Sequence, residues 1–358
     1  MNSKNNANRI DGLDGLRAIA VIVVFLHHTG LTSVHGGFIG VDIFFVLSGF
    51  LITSILSNEY LKTGRINFIN FYWRRIKRLY PALIFFLFII SAYILLFAKN
   101  IHISMEIIPS ALYFMNWMRA FEIYDAPLTG HTWTLAIEQQ FYLLWPFVMV
   151  FTLSFKPRKS FFIIVSLILA IVAWRLYLYS IGTPAARTYT GFDTHSDGLV
   201  IGAALALGGN NLRKLISKFW ILSSAYIIFV LSTKTGDSIA VSAIGFLVTS
   251  LASASLIAKI VTEQDSTLVK ILNLRPIAFL GMISYGFYLW HYSVIKIMLY
   301  SGHDQFGAFF GSFEHARDVM LVATFMITLI LTLLSWYLIE NPILNARKSR
   351  KTAEAINT

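Results

Sequence analysis

Long apolar stretches separated by short polar segments occupy most of this chain. Many of these stretches approach the length of about 20 residues that an α-helix needs to cross the hydrocarbon core of a membrane. The pattern predicts ten membrane-spanning helices, at residues 13–33, 38–56, 79–98, 133–154, 161–181, 196–209, 219–233, 238–260, 277–300 and 317–340. A further apolar run at 103–118 is shorter and contains Glu106 and Pro109. We therefore expect this run to be an external or half-inserted excursion rather than a span.

The distribution of Lys and Arg gives the predicted orientation, because these residues concentrate in cytoplasmic loops. If residues 103–118 do not cross, most Lys and Arg outside the spans lie on the same side as the N-terminus. If they did cross, the basic segments at 156–159 and 210–214 would change sides, and the bias would largely vanish. We therefore predict that both termini are cytoplasmic, that residues 1–345 form one transmembrane domain, and that residues 346–358 form a short basic cytoplasmic tail.

The composition supports an all-α polytopic helical bundle in a membrane. The chain is 56% hydrophobic and 13% charged, with a mean hydropathy of +0.67, whereas a soluble domain has about 25% charged residues. The absence of cysteine excludes disulfides, thiolate nucleophiles and cysteine-ligated metals, and we expect no metal at the site. The net charge of +11 is explained by topology and by contact with anionic membrane lipids, so we expect no nucleic-acid partner. The polar N-terminus does not resemble a cleaved signal peptide, which indicates that the first span is retained.

Ionisable residues inside the predicted spans are the candidates for chemistry, because charges in a membrane are costly and usually mark a functional site. Arg17 and His28 lie eleven residues apart, which places them on one helix face and about 16 Å apart along the axis. Adjacent helical residues point about 100° apart, so His28 rather than His27 shares the face of Arg17. Asp42 and Glu138 enter their spans from the outer side at a depth similar to that of His28. We predict that His28, Asp42 and Glu138 are catalytic residues.

Further polar residues lie at the two ends of the predicted bundle. Arg17, Arg75 and Arg78 lie at cytoplasmic ends of spans, and the i,i+3 spacing of the last two would let them share an anionic ligand. Anchoring by positive charge on the cytoplasmic side is the alternative for these arginines. For Asp42 the alternative is a helix cap. The candidates for the acceptor side, near the outer ends of spans, are His131, Asp193, Asp197 and His291, the last with a place in the membrane-interface belt as the alternative.

Six sequence blocks together resemble the membrane-bound acyltransferase family 3. They are DGLRAIAVIVVFLHH, GFIGVDIFFVLSGFLIT, RRIKRLYP, HTWTLAIEQQFYLLWP, ISYGFYLWH and WYLIENP. They occur in the family's order between about Asp11 and Pro342, and the arginine and histidine of the family's first block fall on Arg17 and His28. The chain resembles a standalone member, without the further span and fused SGNH-type domain of many similar members.

The resemblance implies transfer of an acyl group, usually acetyl, from cytoplasmic acyl-CoA to a carbohydrate hydroxyl at or beyond the membrane. It implies acetyl-CoA as the donor substrate and no permanently bound cofactor. The expected acceptor is a cell-surface polysaccharide or a lipid-linked glycan. Lipopolysaccharide O-antigen is favoured, with peptidoglycan, exopolysaccharide or a small glycoside as alternatives. The expected location is the cytoplasmic (inner) membrane of a bacterium.

Within this reaction, Arg75 and Arg78, assisted by Arg17, are predicted to hold the phosphates of the donor. His28 would deprotonate the attacking hydroxyl, oriented by one of the two predicted catalytic carboxylates. In a second route, which the sequence leaves open, His28 would itself be acylated and pass the group outward. A secondary transporter or flippase is the alternative function, because intramembrane His, Asp and Glu also form proton relays. Many transporters contain inverted repeats, and none is evident in this chain.

Overall fold

The fold is described by a computed structural model, which covers residues 10–30, 32–233, 241–301 and 316–345. Regular structure in these ranges is helical throughout, and no strand occurs in them. This agrees with the predicted all-α membrane class. The predicted cytoplasmic tail at 346–358 lies outside the described residues.

The α-helices are numbered here in chain order. They are α1 (Leu13–Thr29), α2 (Gly40–Thr63), α3 (Phe68–Phe97), α4 (Ile103–Ala111), α5 (Met115–Ala120), α6 (Trp133–Leu153), α7 (Pro157–Ser180), α8 (Ala185–Thr190), α9 (Phe192–His195), α10 (Asp197–Leu207), α11 (Gly209–Ser217), α12 (Trp220–Ser232), α13 (Phe246–Thr262), α14 (Thr267–Leu272), α15 (Arg275–Met282), α16 (Ser284–Ile295) and α17 (Ala316–Ser335). Short 3₁₀ turns at Gly37–Ile39 and Gly130–Thr132 precede α2 and α6. π-helical turns at Val241–Gly245, Lys296–Ser301 and Trp336–Glu340 adjoin α13, α16 and α17.

Five helical segments in the described ranges are long and apolar enough to cross a membrane. They are Gly37–Thr63, Phe68–Phe97, Pro157–Ser180, Ala243–Thr262 and Asp318–Asn345. A sixth is obtained if α11 and α12, which are bent by 58° at a short break, form one span. The count of ten spans and the cytoplasmic position of both termini therefore remain predictions.

Several predicted spans that carry site candidates are shorter or broken in the structure. The predicted span at 196–209 is α10, with 11 residues, and the one at 277–300 is divided at Ile283 into α15 and α16. Residues 103–118 form α4 and α5, with 9 and 6 residues, and neither is long enough to cross a membrane. Short helices can occupy the membrane only where neighbouring helices satisfy their free backbone groups.

Glycines allow α2 to pack against α10 and α1 against α15. A Cβ added at Gly202 of α10 would lie 2.1 Å from the backbone oxygen of Val46 in α2. A Cβ added at Gly281 of α15 would lie 1.7 Å from the backbone oxygen of Asp14 in α1. Small residues at such crossings let helix backbones approach closely in membranes. These contacts fix the helices that surround the candidate site.

We expect Gly202→Val to destabilise the protein, because the new side chain has no room between α10 and the backbone of α2. Overpacking of this kind costs about 1–3 kcal/mol, and the midpoint of thermal unfolding in detergent measures the loss. Gly130→Ala is the matched control, because its new Cβ would have its nearest neighbour at 3.6 Å and should leave the midpoint almost unchanged. Equal losses in the two variants would contradict the role given to Gly202.

Candidate functional site

A cavity of about 860 Å³ lies between α1, α2, α3, α6, α15 and α16. Its charged lining residues come from three helices, and they are Asp14, Arg17, Arg75, Arg78 and Glu138. Hydroxyl-bearing residues complete the polar part of the lining: Ser48, Thr134, Tyr142, Ser284, Tyr285 and Tyr288. Three cations therefore face one space, as predicted for the arginines from their positions in the sequence.

Arg75 and Arg78 have no carboxylate partner among the described residues, whereas Arg17 pairs with Asp14 at 2.7 Å. The guanidinium carbon of Arg75 lies 5.7 Å from the ring centroid of Tyr142. The Nε atom of Arg75 is buried and makes no hydrogen bond to any described residue. Guanidinium groups with unused donors are well suited to bind an anionic ligand.

The predicted start of the third span is corrected by the structure. α3 begins at Phe68, so Arg75 and Arg78 lie inside a helix and not in the segment before it. Asn67 caps this helix, since its side chain accepts a hydrogen bond of 2.9 Å from the backbone nitrogen of Asn70. The helical conformation places the two arginines on neighbouring turns of one face, which is the arrangement their i,i+3 spacing predicted.

Glu138 of α6 lies in the arginine cavity, where its Oε1 accepts a hydrogen bond of 2.7 Å from Ser48 Oγ of α2. No hydrogen bond joins Glu138 to His28 among the described residues. The expectation that Glu138 orients His28 is therefore not supported. The depth estimated from position along each predicted span could not show this, because two residues at similar depth can still face different neighbours. Ser48 was not identified from the sequence.

His28 is held by a second histidine, His291 of α16. Its Nδ1 lies 3.0 Å from Nε2 of His291, and Nδ1 of His291 lies 2.6 Å from the backbone oxygen of Tyr288. A carbonyl oxygen only accepts hydrogen bonds, so Nδ1 of His291 carries a proton, and Nε2 of a neutral His291 is an acceptor. Nδ1 of His28 therefore donates to it. The remaining nitrogen of a neutral His28, Nε2, keeps the lone pair that a base or a nucleophile needs.

His131, in the turn before α6, belongs to the same group of histidines. Its Nε2 donates to the backbone oxygen of Leu289 over 3.0 Å, and its ring lies 5.5 Å from that of His291 and 4.9 Å from that of Tyr292. Its Nδ1 is buried and finds no hydrogen-bond partner in the described part of the chain. Two predicted acceptor-side residues thus join His28. The described ranges contain no group of three side chains arranged to hold a metal ion.

Tyr288 of α16 borders both the arginine cavity and the histidine group. It lines the cavity, and its hydroxyl lies 2.8 Å from Thr134 Oγ1 and 3.1 Å from the backbone oxygen of His131. Its own backbone oxygen holds His291. The sequence analysis did not single out this residue, one of 16 tyrosines in the chain, although it lies in the block ISYGFYLWH.

Asp42 pairs with His195 of α9 rather than with His28. The Asp42 Oδ1 to His195 Nε2 distance is 3.1 Å, and both side chains are buried. Nδ1 of His195 donates to the backbone oxygen of Tyr189 over 2.6 Å, so one proton must lie between the carboxylate and Nε2. The predicted orientation of His28 by Asp42 is therefore corrected. The capping alternative is not observed either, because no side chain caps α2.

Asp193 and Asp197 are both engaged in ion pairs. Asp197 accepts hydrogen bonds of 2.9 and 3.0 Å from Arg175 of α7, and both side chains are fully buried. Asp193 accepts hydrogen bonds of 2.8 and 2.5 Å from Arg187 of α8. These contacts connect neighbouring helices and favour a structural role for both aspartates over the predicted contact with an acceptor.

Comparison with known proteins gives matches over most of the chain. A family model described as an acyltransferase domain matches residues 10–341. O-acetyltransferase OatA of Staphylococcus aureus (strain NCTC 8325 / PS 47) is 35% identical over 306 residues, which are 80% of this chain and 50% of that protein. Putative peptidoglycan O-acetyltransferase YrhL of Bacillus subtilis (strain 168) is 37% identical over 356 residues, 93% of this chain and 55% of that protein. Putative O-acetyltransferase SACOL0978 of Staphylococcus aureus (strain COL) is 33% identical over 309 residues, which are 81% of this chain and 51% of that protein.

The chain spans about half the length of these curated relatives. No solved structure matches it with statistical significance. The matched range of 10–341 includes all the candidate residues described above.

Proposed function

The chain belongs to the membrane-bound acyltransferase family 3, whose model spans residues 10–341, and we propose that it is a membrane O-acetyltransferase. In this proposal it takes an acetyl group from cytoplasmic acetyl-CoA and transfers it to a hydroxyl of a cell-envelope glycan. One observation carries the proposal. A cavity lined by Arg75 and Arg78, which have no carboxylate partner in the described ranges, is bordered through Tyr288 by the histidine group around His28.

The arginines are the proposed site for the phosphates of CoA. Guanidinium groups form bidentate, charge-assisted hydrogen bonds to phosphate. Arg17 adds a third cation, although Asp14 offsets part of its charge. Arg17 and His28 are separated by about 16 Å along α1. The long pantetheine arm of a donor held at the arginines would extend along this distance and direct its thioester toward His28.

In direct transfer, Nε2 of His28 accepts the proton of the acceptor hydroxyl while the hydroxyl oxygen attacks the thioester carbonyl carbon. The tetrahedral intermediate then loses the CoA thiolate by cleavage of the carbon–sulfur bond, and the thiolate takes up the proton from His28. His291 supports this step by accepting the hydrogen bond of His28 Nδ1, which keeps Nε2 as the basic atom. In the relay alternative, Nε2 attacks the thioester carbonyl carbon and the CoA thiolate leaves as the carbon–sulfur bond breaks. The acceptor hydroxyl then attacks the acetyl-imidazole, the bond from the acetyl carbon to Nε2 breaks, and the hydroxyl proton neutralises the CoA thiolate.

For the acceptor we propose peptidoglycan ahead of the lipopolysaccharide O-antigen favoured from the sequence. The Bacillus subtilis relative is 37% identical over 356 residues and is named a putative peptidoglycan O-acetyltransferase. The histidine group lies toward the outer side in the predicted topology, which is the side of the cell wall. A cytoplasmic donor and an external acceptor together require a location in the cytoplasmic membrane.

The proposal predicts that the purified protein in lipid vesicles consumes acetyl-CoA without any ion gradient when glycan acceptor is present. It also predicts that peptidoglycan from cells with the protein contains O-acetyl groups that cells without it lack. Mass spectrometry of muropeptides and of O-antigen from both strains identifies the acceptor. If the glycans were unchanged and acetyl-CoA stayed intact, the proposed O-acetyltransferase activity would be wrong. Movement of a substrate across the vesicle membrane that requires an ion gradient would indicate a transporter.

Arg75→Gln should weaken the binding of acetyl-CoA by at least about tenfold, because hydrogen bonds to charged groups contribute about 1.5–3 kcal/mol each. Titration of the detergent-solubilised protein with acetyl-CoA measures the change. Arg74→Gln is the matched control, since Arg74 lies outside the cavity lining and pairs with Glu59 at 3.6 Å. If both variants lost affinity equally, the phosphate site would not be at Arg75.

His28→Ala should reduce acetyl transfer by a factor of about 100 to 10,000, which is the usual contribution of a general base. The neighbouring His27 lies on a different helix face, and His27→Ala should keep a measurable fraction of the activity. His291→Ala should give an intermediate loss, because it removes the acceptor that fixes His28. The rate of product formation is measured on variants that elute as folded protein. Normal activity of His28→Ala would reject both the base and the relay.

A further inference from the structure

A second pocket, of about 440 Å³, lies at the junction of α11, α12 and α13. Its lining contains three lysines, Lys214, Lys218 and Lys259, and one carboxylate, Glu263. This pocket shares no lining residue with the arginine cavity. Its chemistry is therefore independent of the proposed acyl transfer.

The charges in this pocket are not balanced. Lys259 forms an ion pair with Glu263, and its ammonium group lies 5.3 Å from the ring centroid of Trp220. Lys214 and Lys218 are exposed, and neither has an ion-pair partner in the described ranges. They are i,i+4 neighbours at the end of α11 and so lie on one face. The pocket thus presents two uncompensated cations beside an aromatic ring.

The surroundings of the pocket are apolar and exposed. Leu215 and Phe219 are 55% exposed, and Ile221 and Leu222 at the start of α12 are 65% and 70% exposed. α11 and α12 meet at an angle of 58°. Leu215 and Phe219 directly follow the two uncompensated lysines in the chain, so they lie about 100° around the helix from them. Helices with cations beside exposed apolar side chains typically lie in the plane of the membrane interface. In that orientation the bend would direct α12 toward the hydrocarbon and leave the lysines at the level of the lipid phosphates.

The pocket lies at the same end of the molecule as the arginines. Next to Glu263, the side chain of Gln264 donates to the backbone oxygen of Asp11, which precedes α1, over 3.4 Å. A Cβ added at Gly12 would lie 3.1 Å from Ile260 of α13. α11 is fixed to α13 by a hydrogen bond of 2.9 Å from Ser255 Oγ to the backbone oxygen of Ile216. The walls of the pocket are therefore part of the bundle and not of a separate loop.

We propose that Lys214, Lys218 and Lys259 bind the phosphate of an anionic phospholipid. A phosphate needs the positive charge that the two uncompensated lysines supply, and the acyl chains would lie along the exposed apolar residues at the start of α12. A zwitterionic lipid is disfavoured, because its ammonium group would be brought close to the lysines. Free inorganic phosphate would leave the apolar surface unused.

The test is native mass spectrometry of the purified full chain, titrated with phosphatidylglycerol or with phosphatidylcholine. The wild-type protein should retain phosphatidylglycerol in preference to phosphatidylcholine. Lys214→Gln/Lys218→Gln should weaken the retention of phosphatidylglycerol by at least about tenfold, because it removes two cations that attract the anionic headgroup. Lys214→Arg/Lys218→Arg should restore it, which separates loss of charge from misfolding.

The matched control is Lys62→Gln/Lys270→Gln, which removes the same charge from exposed lysines outside the pocket. It should retain phosphatidylglycerol like the wild type. If the two glutamine double variants lost phosphatidylglycerol equally, the proposed site would be wrong, because the overall positive charge of the protein would then explain the retention. If the wild-type protein retained phosphatidylcholine as well as phosphatidylglycerol, the proposed preference for an anionic headgroup would be wrong. If millimolar inorganic phosphate displaced phosphatidylglycerol, the pocket would be a site for free phosphate instead.

Discussion

Polar groups inside a membrane have no water to bind, so the protein itself must satisfy them, and the whole bundle depends on this constraint. Arg175 shows how it is met. Its fully buried guanidinium donates to Asp197, to the backbone oxygen of Thr194 over 2.7 Å and to that of Ala243 over 3.1 Å. These bonds connect α7 with α9, α10 and the turn that leads into α13. Removing one member of such a buried pair leaves an uncompensated charge and typically costs about 3–5 kcal/mol.

The same constraint separates structural residues from candidates for chemistry. Arg175 and Asp197 use their hydrogen-bonding groups within the bundle, and they hold helices together. Arg75 and His131 each keep a buried nitrogen without a partner among the described residues. Buried polar atoms of this kind are uncommon, and each one calls for an explanation. Arg75 also lines the cavity, so its guanidinium is a candidate for contact with a ligand, although the Nε atom itself is enclosed by protein atoms.

Helix spacing and residue type were sufficient to predict that Arg17, Arg75 and Arg78 are grouped, and all three line the cavity. The catalytic role of His28 stays a prediction. The grouping of the arginines follows from local geometry, since Arg75 and Arg78 share a face whatever the rest of the fold does. The partners of the predicted residues did not follow. Asp42 contacts His195, and His28 contacts His291, a residue 263 positions away in the chain. Such pairs depend on how each helix is rotated and on which helix lies opposite, and neither property is encoded in depth along a span.

Apolar length also did not show that two predicted spans are short or divided in the structure. The predicted spans at 196–209 and 277–300 are apolar enough to suggest crossing, but hydropathy does not show where a helix breaks. The break at Ile283 separates α15 from α16, and α16 then presents backbone oxygens of Tyr288 and Leu289 to two histidines. Both oxygens belong to the regular part of α16 (Ser284–Ile295), so these contacts come from the helix after the break and not from the break itself.

The proton shared by Asp42 and His195 has an electrical consequence. If the proton is on the histidine, the pair is one cation and one anion, and if it is on the aspartate, both groups are neutral. The pair therefore has no net charge in either state. Transfer of the proton between Oδ1 of Asp42 and Nε2 of His195, which lie 3.1 Å apart, would change only a local dipole. Although it contains an acid and a base, this part of the bundle neither attracts nor repels a charged substrate by net charge.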